Sequence, residues 1–131
     1  MAETSQQGAP SGTTVVVVEP DILIRMAVAE YLRHCGYTVI EARSAEEVFR
    51  LLDVGRKVDI VFAEVALPEM SGFDLAKRLR AQDPSIGIIL TCGAEGAAEK
   101  AGDLCDGGPI PKPYPHEDVV RRIRRLREGR G

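Results

Sequence analysis

The sequence predicts an α/β domain in which a parallel sheet of five strands is covered by helices on both faces. Three observations point there. Apolar, β-branched runs such as "TTVVVV" and "VDIVFAE" are continuous rather than alternating, as in strands buried on both sides. Between such runs lie segments of helical spacing, each opened or closed by a capping signal. With 131 residues, 44% hydrophobic and no tryptophan, the chain is expected to form one core of ordinary size and to leave no room for a second domain.

The elements follow in order. The first dozen residues, "MAETSQQGAPSG", are small and polar, so 1–12 are expected to be a disordered leader rather than a signal peptide or membrane anchor. "TTVVVV" (Thr13 to Val18) is the first strand. Helix one runs from Ile22 to Cys35 with an apolar stripe of Ile22, Leu23, Met26, Val28, Tyr31, Leu32 and Cys35, and Gly36 stops it. "YTVIEA" is the second strand. "SAEEVFRLLDVG" is the second helix, its Ser44 and Glu47 matching the S-x-x-E capping box, and Gly55 ends it. "VDIVFAE" is strand three, closing on Glu64. Ser71, with Asp74 three residues on, caps a third helix that runs to about Gln82. "IGIIL" is strand four, "AEGAAEKAGDLC" a helix weakened by Gly96 and Gly102, and "GPIP" a very short strand five. Pro115 to Arg127 is the fifth helix, with proline in its first turn. The folded domain is therefore 13–127, with 128–131 a short tail.

A formal charge of −3 and a pI near 5.4 give no general attraction to nucleic acid or acidic membranes. Cys35, Cys92 and Cys105 are odd in number and lack CxxC spacing, so they read as reduced thiols of a cytoplasmic protein. Cys92 reads as an inert core group. The fifth helix departs from the charge balance: six arginines from Arg121 to Arg130 stand against one acid, Glu128. Val119, Val120, Ile123 and Leu126 supply its apolar side. The plainer reading is a solvated basic face on a docked helix, and the functional one is recognition of a protein partner. No aromatic platform or recognition-helix pattern accompanies the charge, which argues against nucleic acid.

Ligand chemistry in a doubly wound parallel sheet gathers at the carboxyl ends of the strands. Those ends carry Glu19-Pro20-Asp21, then Glu64, Thr91 and Lys112. Carboxylates, a hydroxyl and an ammonium would share one pocket. Asp21, directly before Ile22, reads first as the N-cap of helix one and second as a metal ligand. Glu19 precedes a proline and is pushed toward extended backbone whether or not it binds anything.

In these motifs the chain resembles the receiver domain of two-component response regulators. "VVVVEPDILIR" stands where that family has its acidic loop, "DIVFAEVALPEMSGFDLAKRLR" matches the phosphoacceptor strand and its turn, "IILTCG" ends at the family's hydroxyl position, Thr91, and "PKPY" holds the family lysine, Lys112. The likeness covers about Thr13 to Leu126. It implies a flavodoxin-like sheet in order 2-1-3-4-5, phosphoryl transfer from a histidine kinase with Mg²⁺, and a cis bond before Pro113. It also implies a partner face on helix four, strand five and helix five, here Ile110, Arg121, Arg122, Arg124 and Arg125. A histidine kinase or a downstream signalling protein would be the partner, with a homodimer as the alternative; nucleic acid and membrane are not expected.

The departures concern the chemistry. Glu64 occupies the position where the family has its phosphoacceptor aspartate, Pro20 replaces a metal-binding carboxylate, and Pro109 replaces the aromatic switch residue. Ala66 stands where only a backbone carbonyl is used, so it changes nothing. In-line phosphoryl transfer needs reacting atoms about 3 to 3.5 Å apart, and one extra C–C bond shifts the carboxylate by about 1.5 Å. Mg²⁺ wants near-octahedral oxygen ligation, so Glu19 and Glu64 alone promise at most weak binding, and no tightly bound cofactor is expected. The expectation is a stand-alone, atypical receiver that is not an enzyme: a phosphorylation-independent docking module with Glu64 as a fixed stand-in for the phosphorylated state. The alternative is a working phosphoryl acceptor on Glu64. A small-ligand flavodoxin-like module is disfavoured because no Gly-rich phosphate loop follows strand one.

Overall fold

A computed structural model describes residues 12–92 and 109–129. Its elements are β1 (Thr14–Val18), α1 (Ile22–His34), β2 (Thr38–Ala42), α2 (Ala45–Asp53), β3 (Ile60–Glu64), α3 (Gly72–Gln82), β4 (Gly87–Cys92), β5 (Ile110–Pro111) and α4 (His116–Gly129). The strands are parallel in the order β2-β1-β3-β4-β5. This is the doubly wound, flavodoxin-like sheet that the sequence predicts. The weak helix expected over 94–105, the leader and Cys105 lie outside the described residues.

Strand alternation divides the core in two. Val16, Val18, Val61, Ala63, Ile88 and Leu90 face one way and pack on Val48 of α2 and Leu75, Ala76 and Leu79 of α3. Val15, Val17, Ile60, Phe62 and Ile89 face the other way, against Val28, Ala29 and Leu32 of α1 and Val119, Val120 and Ile123 of α4. All of these side chains are removed from water, each Leu, Ile or Val contributing about 1.5–3 kcal/mol of transfer free energy.

Helices α1 and α2 end alike. Gly36 (φ +98°) and Gly55 (φ +83°) take the left-handed conformation, with Gly36 N–H donating to Arg33 O and Tyr37 N–H to Leu32 O, and Gly55 N–H to Leu52 O and Arg56 N–H to Leu51 O. Each is a Schellman stop, with the two glycines where the sequence places them.

Four local expectations need correction. The buried stripe of α1 is Arg25, Val28, Ala29 and Leu32, while Ile22, Leu23 and Met26 stay at least half exposed. The Ser44 side chain makes no cap bond; Glu47 reaches past it and accepts the Arg43 N–H at 2.8 Å. Strand β4 runs on to Cys92, so Thr91 lies inside the ladder opposite Glu64. Pro115 precedes α4 instead of occupying its first turn, its carbonyl accepting the Asp118 N–H at 3.0 Å.

Candidate functional site

The carboxyl ends of β1, β3 and β5 bring three charged side chains together. Lys112 Nζ donates to Glu19 Oε1 at 2.9 Å and contacts Glu64 Oε1 as well. Glu19 and Glu64 are buried, at 5% and 6% exposure, whereas Lys112 is half-buried at the pocket's mouth. Lys112 N–H bonds Cys92 O at 3.1 Å, extending the β4–β5 ladder by one residue, and the Lys112–Pro113 peptide is cis.

The other carboxylate oxygens are held by the backbone. Glu64 Oε2 accepts the Ala66 N–H at 2.8 Å, and Glu19 Oε2 accepts the Asp21 N–H at 3.1 Å. Asp21 itself is exposed and caps α1, its Oδ1 accepting from Leu23 and Ile24 at 2.9 and 3.2 Å. The capping reading of Asp21 therefore describes its position, and the acidic pocket consists of Glu19 and Glu64. Thr91 is 1% exposed, and among the described residues its hydroxyl has no hydrogen-bond partner.

Local sequence explains the geometry at Glu64. The turn after β3 passes through Pro68 and through Glu69 at φ +66°, then enters α3 at Ser71, whose side chain accepts the Asp74 N–H. Gly72 N–H donates to Val65 O at 2.8 Å, and a Cβ on Gly72 would lie 2.6 Å from Glu64 O. Only glycine lets α3 begin this close to the end of β3.

Electrostatics follow from the packing. Burial alone would lower the pKa of Lys112, but its hydrogen bonds to Glu64 and Glu19, with their charges, outweigh that and hold it above the ordinary lysine value. Tyr114, edge-on to Phe62 with ring centroids 5.5 Å apart, is pushed up to about 12, chiefly by burial. Burial, and then the Glu64 carboxylate, raise the Cys92 thiol.

Both carboxylates are paired with Lys112, Pro20 contributes no ligand, and no cluster of three or more metal-binding side chains occurs among the described residues.

The expected partner face is divided. Pro109, Ile110, Pro111, Asp118, Arg121, Arg122 and Arg125 line a groove of about 220 Å³ between β5 and α4. Arg124 instead lines a neighbouring hollow with Tyr31, Cys35 and Glu117. Ile110 is buried at 5% exposure because its side chain enters the α1–α4 core, so it forms the groove's floor and not a surface contact. Arg121 pairs with Asp118 at 2.7 Å, and Arg127 pairs with Asp59 at the base of β3 at 3.5 Å.

Residues 15–124 match the family described as response regulator receiver domain. The chain belongs to that family. It is 35% identical over 118 residues to the sensor kinase CckA of Brucella abortus, covering 88% of this chain and 12% of that protein. It is 30% identical over 115 residues to the probable transcriptional regulatory protein TcrX of Mycobacterium tuberculosis, covering 86% of this chain and 49% of that protein. This receiver thus spans half or less of the length of both relatives. The signal receiver domain of an HD domain-containing protein from Pseudomonas fluorescens superposes with a TM-score of 0.81 at 27% identity, covering 89% of this chain and 95% of that one. Chemotaxis response regulator CheY4 of Vibrio cholerae shares the fold at a TM-score of 0.74 and 24% identity, over 87% and 98% of the two chains. Receivers are signalling modules of two-component systems, and no helix among the described residues is long and apolar enough to cross a membrane.

Two contributors to the site escaped the sequence reading. Arg25, buried, donates from Nη1 to Glu19 O at 2.9 Å, and Tyr114 packs edge-on against Phe62 and lines a pocket together with Lys112. Arg25 was legible as the first residue of the 25-28-29-32 stripe, but its charge hid it.

Proposed function

We propose that this receiver is a protein-docking module whose active surface does not depend on phosphorylation. The observation that carries this is the contact of Glu64 with Lys112 at the strand ends. Glu64, one methylene longer than an aspartate, places its carboxylate on the lysine without an added phosphoryl group. Pro20 and Pro109 support the reading, since one removes a metal ligand and the other leaves no ring at the switch position. The module performs no catalysis in this reading, works in the cytoplasm and binds Mg²⁺ weakly at most. Its docking surface is the basic groove of Arg121, Arg122 and Arg125, which suits an acidic surface on a kinase or downstream signalling protein, or on a second copy.

A second reading has one observation in its favour. The Thr91 hydroxyl is buried, has no partner among the described residues and lies opposite Glu64 in the ladder, where it would suit an added phosphoryl oxygen. Incubation of the full chain with acetyl phosphate and Mg²⁺, read by intact mass, separates the two. The docking reading expects no adduct; a phosphoryl adduct mapped to Glu64 establishes the acceptor instead.

A further inference from the structure

Beside the charged pocket lies a cavity that neither the docking reading nor the phosphoryl-acceptor reading uses. It measures about 560 Å³ and is lined by Leu23, Ile24 and Ala27 of α1 and by Lys112, Tyr114 and His116 of the segment that carries β5 into α4. Cavities that hold small molecules run from about 300 to 1,000 Å³ and are mostly apolar, with a few directed polar groups. This one has the same make-up. One wall is a row of rings in contact: Tyr31 with His116 at 5.3 Å between centroids, His116 with Tyr114 at 6.3 Å, and Tyr114 with Phe62 at 5.5 Å. Phe62 belongs to the core, so the row is anchored and the wall is preformed. On the α1 side Leu23 lines the cavity yet is 77% exposed, apolar surface that an occupant would remove from water.

The polar groups decide what kind of molecule suits it. Lys112 Nζ carries three protons, and Glu19 and Glu64 take two of them. The third is left for an acceptor in the cavity that Lys112 lines. The same carboxylates keep this amine charged, so it donates only. Two carboxylates against one ammonium also leave net negative charge behind Lys112, which opposes an anion. We infer that this cavity is a binding site for a small, neutral, flat aromatic molecule with a carbonyl or hydroxyl acceptor, its ring against Tyr114 and His116 and its oxygen on Lys112. One apolar hollow with one directed donor inside it is recognition on the scale of a single compact molecule. The inference stands or fails separately from the docking reading, because neither a protein partner nor a phosphoryl donor enters its test.

The test titrates the full chain with three single-ring probes, followed by amide NMR: acetophenone, which is neutral and has a carbonyl, toluene, which is neutral and has none, and benzoate, which is an anion. Acetophenone should give saturable shifts at Leu23, Ala27, Tyr114 and His116, with the millimolar dissociation constant usual for so small a molecule. Toluene should bind at least about fivefold more weakly for want of an acceptor, and benzoate likewise because of its charge. Lys112→Met keeps the apolar stem and removes the donor, so acetophenone should fall to the toluene level. Ala27 is exposed, so Ala27→Phe should fold, fill the cavity and weaken acetophenone at least about tenfold. No saturable shift, shifts centred elsewhere, equal affinity for the three probes, or undiminished acetophenone binding in Ala27→Phe or in a folded Lys112→Met overturns the inference. Signals of Ile22, Leu23 and Met26 that move on dilution of the free chain would assign this face to a second copy, and overturn it as well. Should Lys112→Met fail to fold, the probe series and Ala27→Phe decide.

Discussion

Arg25 Nη1 donates to the backbone carbonyl of Glu19 at 2.9 Å, and its Nε holds Glu41 of β2 at 3.1 Å. One buried guanidinium therefore ties α1 to the ends of β1 and β2, at the point where the chain presents Glu19 to Lys112. Arg25→Met keeps the aliphatic stem and leaves the Glu19 carbonyl and the Glu41 carboxylate without this donor. The expected loss is about 2–3 kcal/mol, read as a lower urea midpoint with unchanged slope. Arg25→Lys should not restore it, because one ammonium does not reproduce the two-sided fork. An unaltered midpoint in Arg25→Met would show that the network adds nothing.

Gly72 makes a different demand. Its added Cβ would sit 2.6 Å from Glu64 O and 2.8 Å from Val65 Cα, both backbone atoms with little freedom to yield. Gly72→Ala should cost about 1–3 kcal/mol and shift the Ala66 amide resonance, since the end of β3 must move. Gly55→Ala is the control: its Cβ meets nothing within 4 Å, so only the left-handed backbone penalty applies and the pocket's resonances stay put. Equal effects on Ala66 from both substitutions would disprove the close-approach account.

The contrast between α1 and the strands shows what the sequence discloses. Continuous runs such as Val15–Val18 are legible because burial on both faces leaves no alternative pattern, and strand order then follows from right-handed crossovers and the family likeness. In helix α1 hydrophobicity alone points to Ile22, Leu23 and Met26, which stay at least half exposed. A 25-28-29-32 spacing fits the core better, but it requires accepting a buried arginine, and burial of a charge is justified only by partners that are remote in sequence. Glu41, sixteen positions away, is such a partner. The site shows the same division. Glu19, Glu64, Thr91 and Lys112 could be named from strand ends, whereas the idle Thr91 hydroxyl and the backbone donors at Asp21 and Ala66 depend on turn geometry that single residue types do not specify.

The thiols should differ in reactivity. Cys92 is buried, and burial together with the nearby Glu64 carboxylate raises its pKa, so its thiolate fraction near pH 8 falls below that of an ordinary cysteine. Cys35 is only partly buried. Iodoacetamide followed by peptide mass analysis should label Cys35 well before Cys92 in the folded protein, with the gap closing in denaturant. Early labelling of Cys92 would place it in an open, reactive setting.

Alkaline pH should destabilise the domain through two groups near the pocket. Tyr114 is held neutral up to about pH 12, so the stability linked to it is complete below the usual tyrosine value near 10 and is lost as pH rises toward 12. Lys112 also has a raised pKa, and its contribution disappears in the same direction as the ammonium deprotonates. A tyrosine absorbance titration should show a late phase that vanishes in Tyr114→Phe. That variant should also lose less stability than the natural chain between pH 10 and 12. A late phase that survives the substitution would assign it elsewhere, with Tyr37, also raised by burial, the first candidate.

Glu64→Gln tests whether the pocket's charge sets the docking surface. The substitution preserves length and an acceptor for the Ala66 N–H, but leaves Lys112 with Glu19 as its sole carboxylate partner in the pocket. A group shifts a two-state equilibrium only by its differential interaction with the two states, about 1–3 kcal/mol for typical coupling, so affinity for a docked protein should fall about five- to 150-fold. Glu64→Ala should do the same or more. Before a partner is in hand, the same bias is measurable in the free chain. Amide resonances of Ile110, Arg121, Arg122 and Arg125 around the groove should move in Glu64→Gln and Lys112→Met along a common direction, as populations of one equilibrium do. Shifts confined to Ala66 and its neighbours, with the groove silent and affinity unchanged, would reduce Glu64 to a residue that fills the strand end without controlling the surface beyond it.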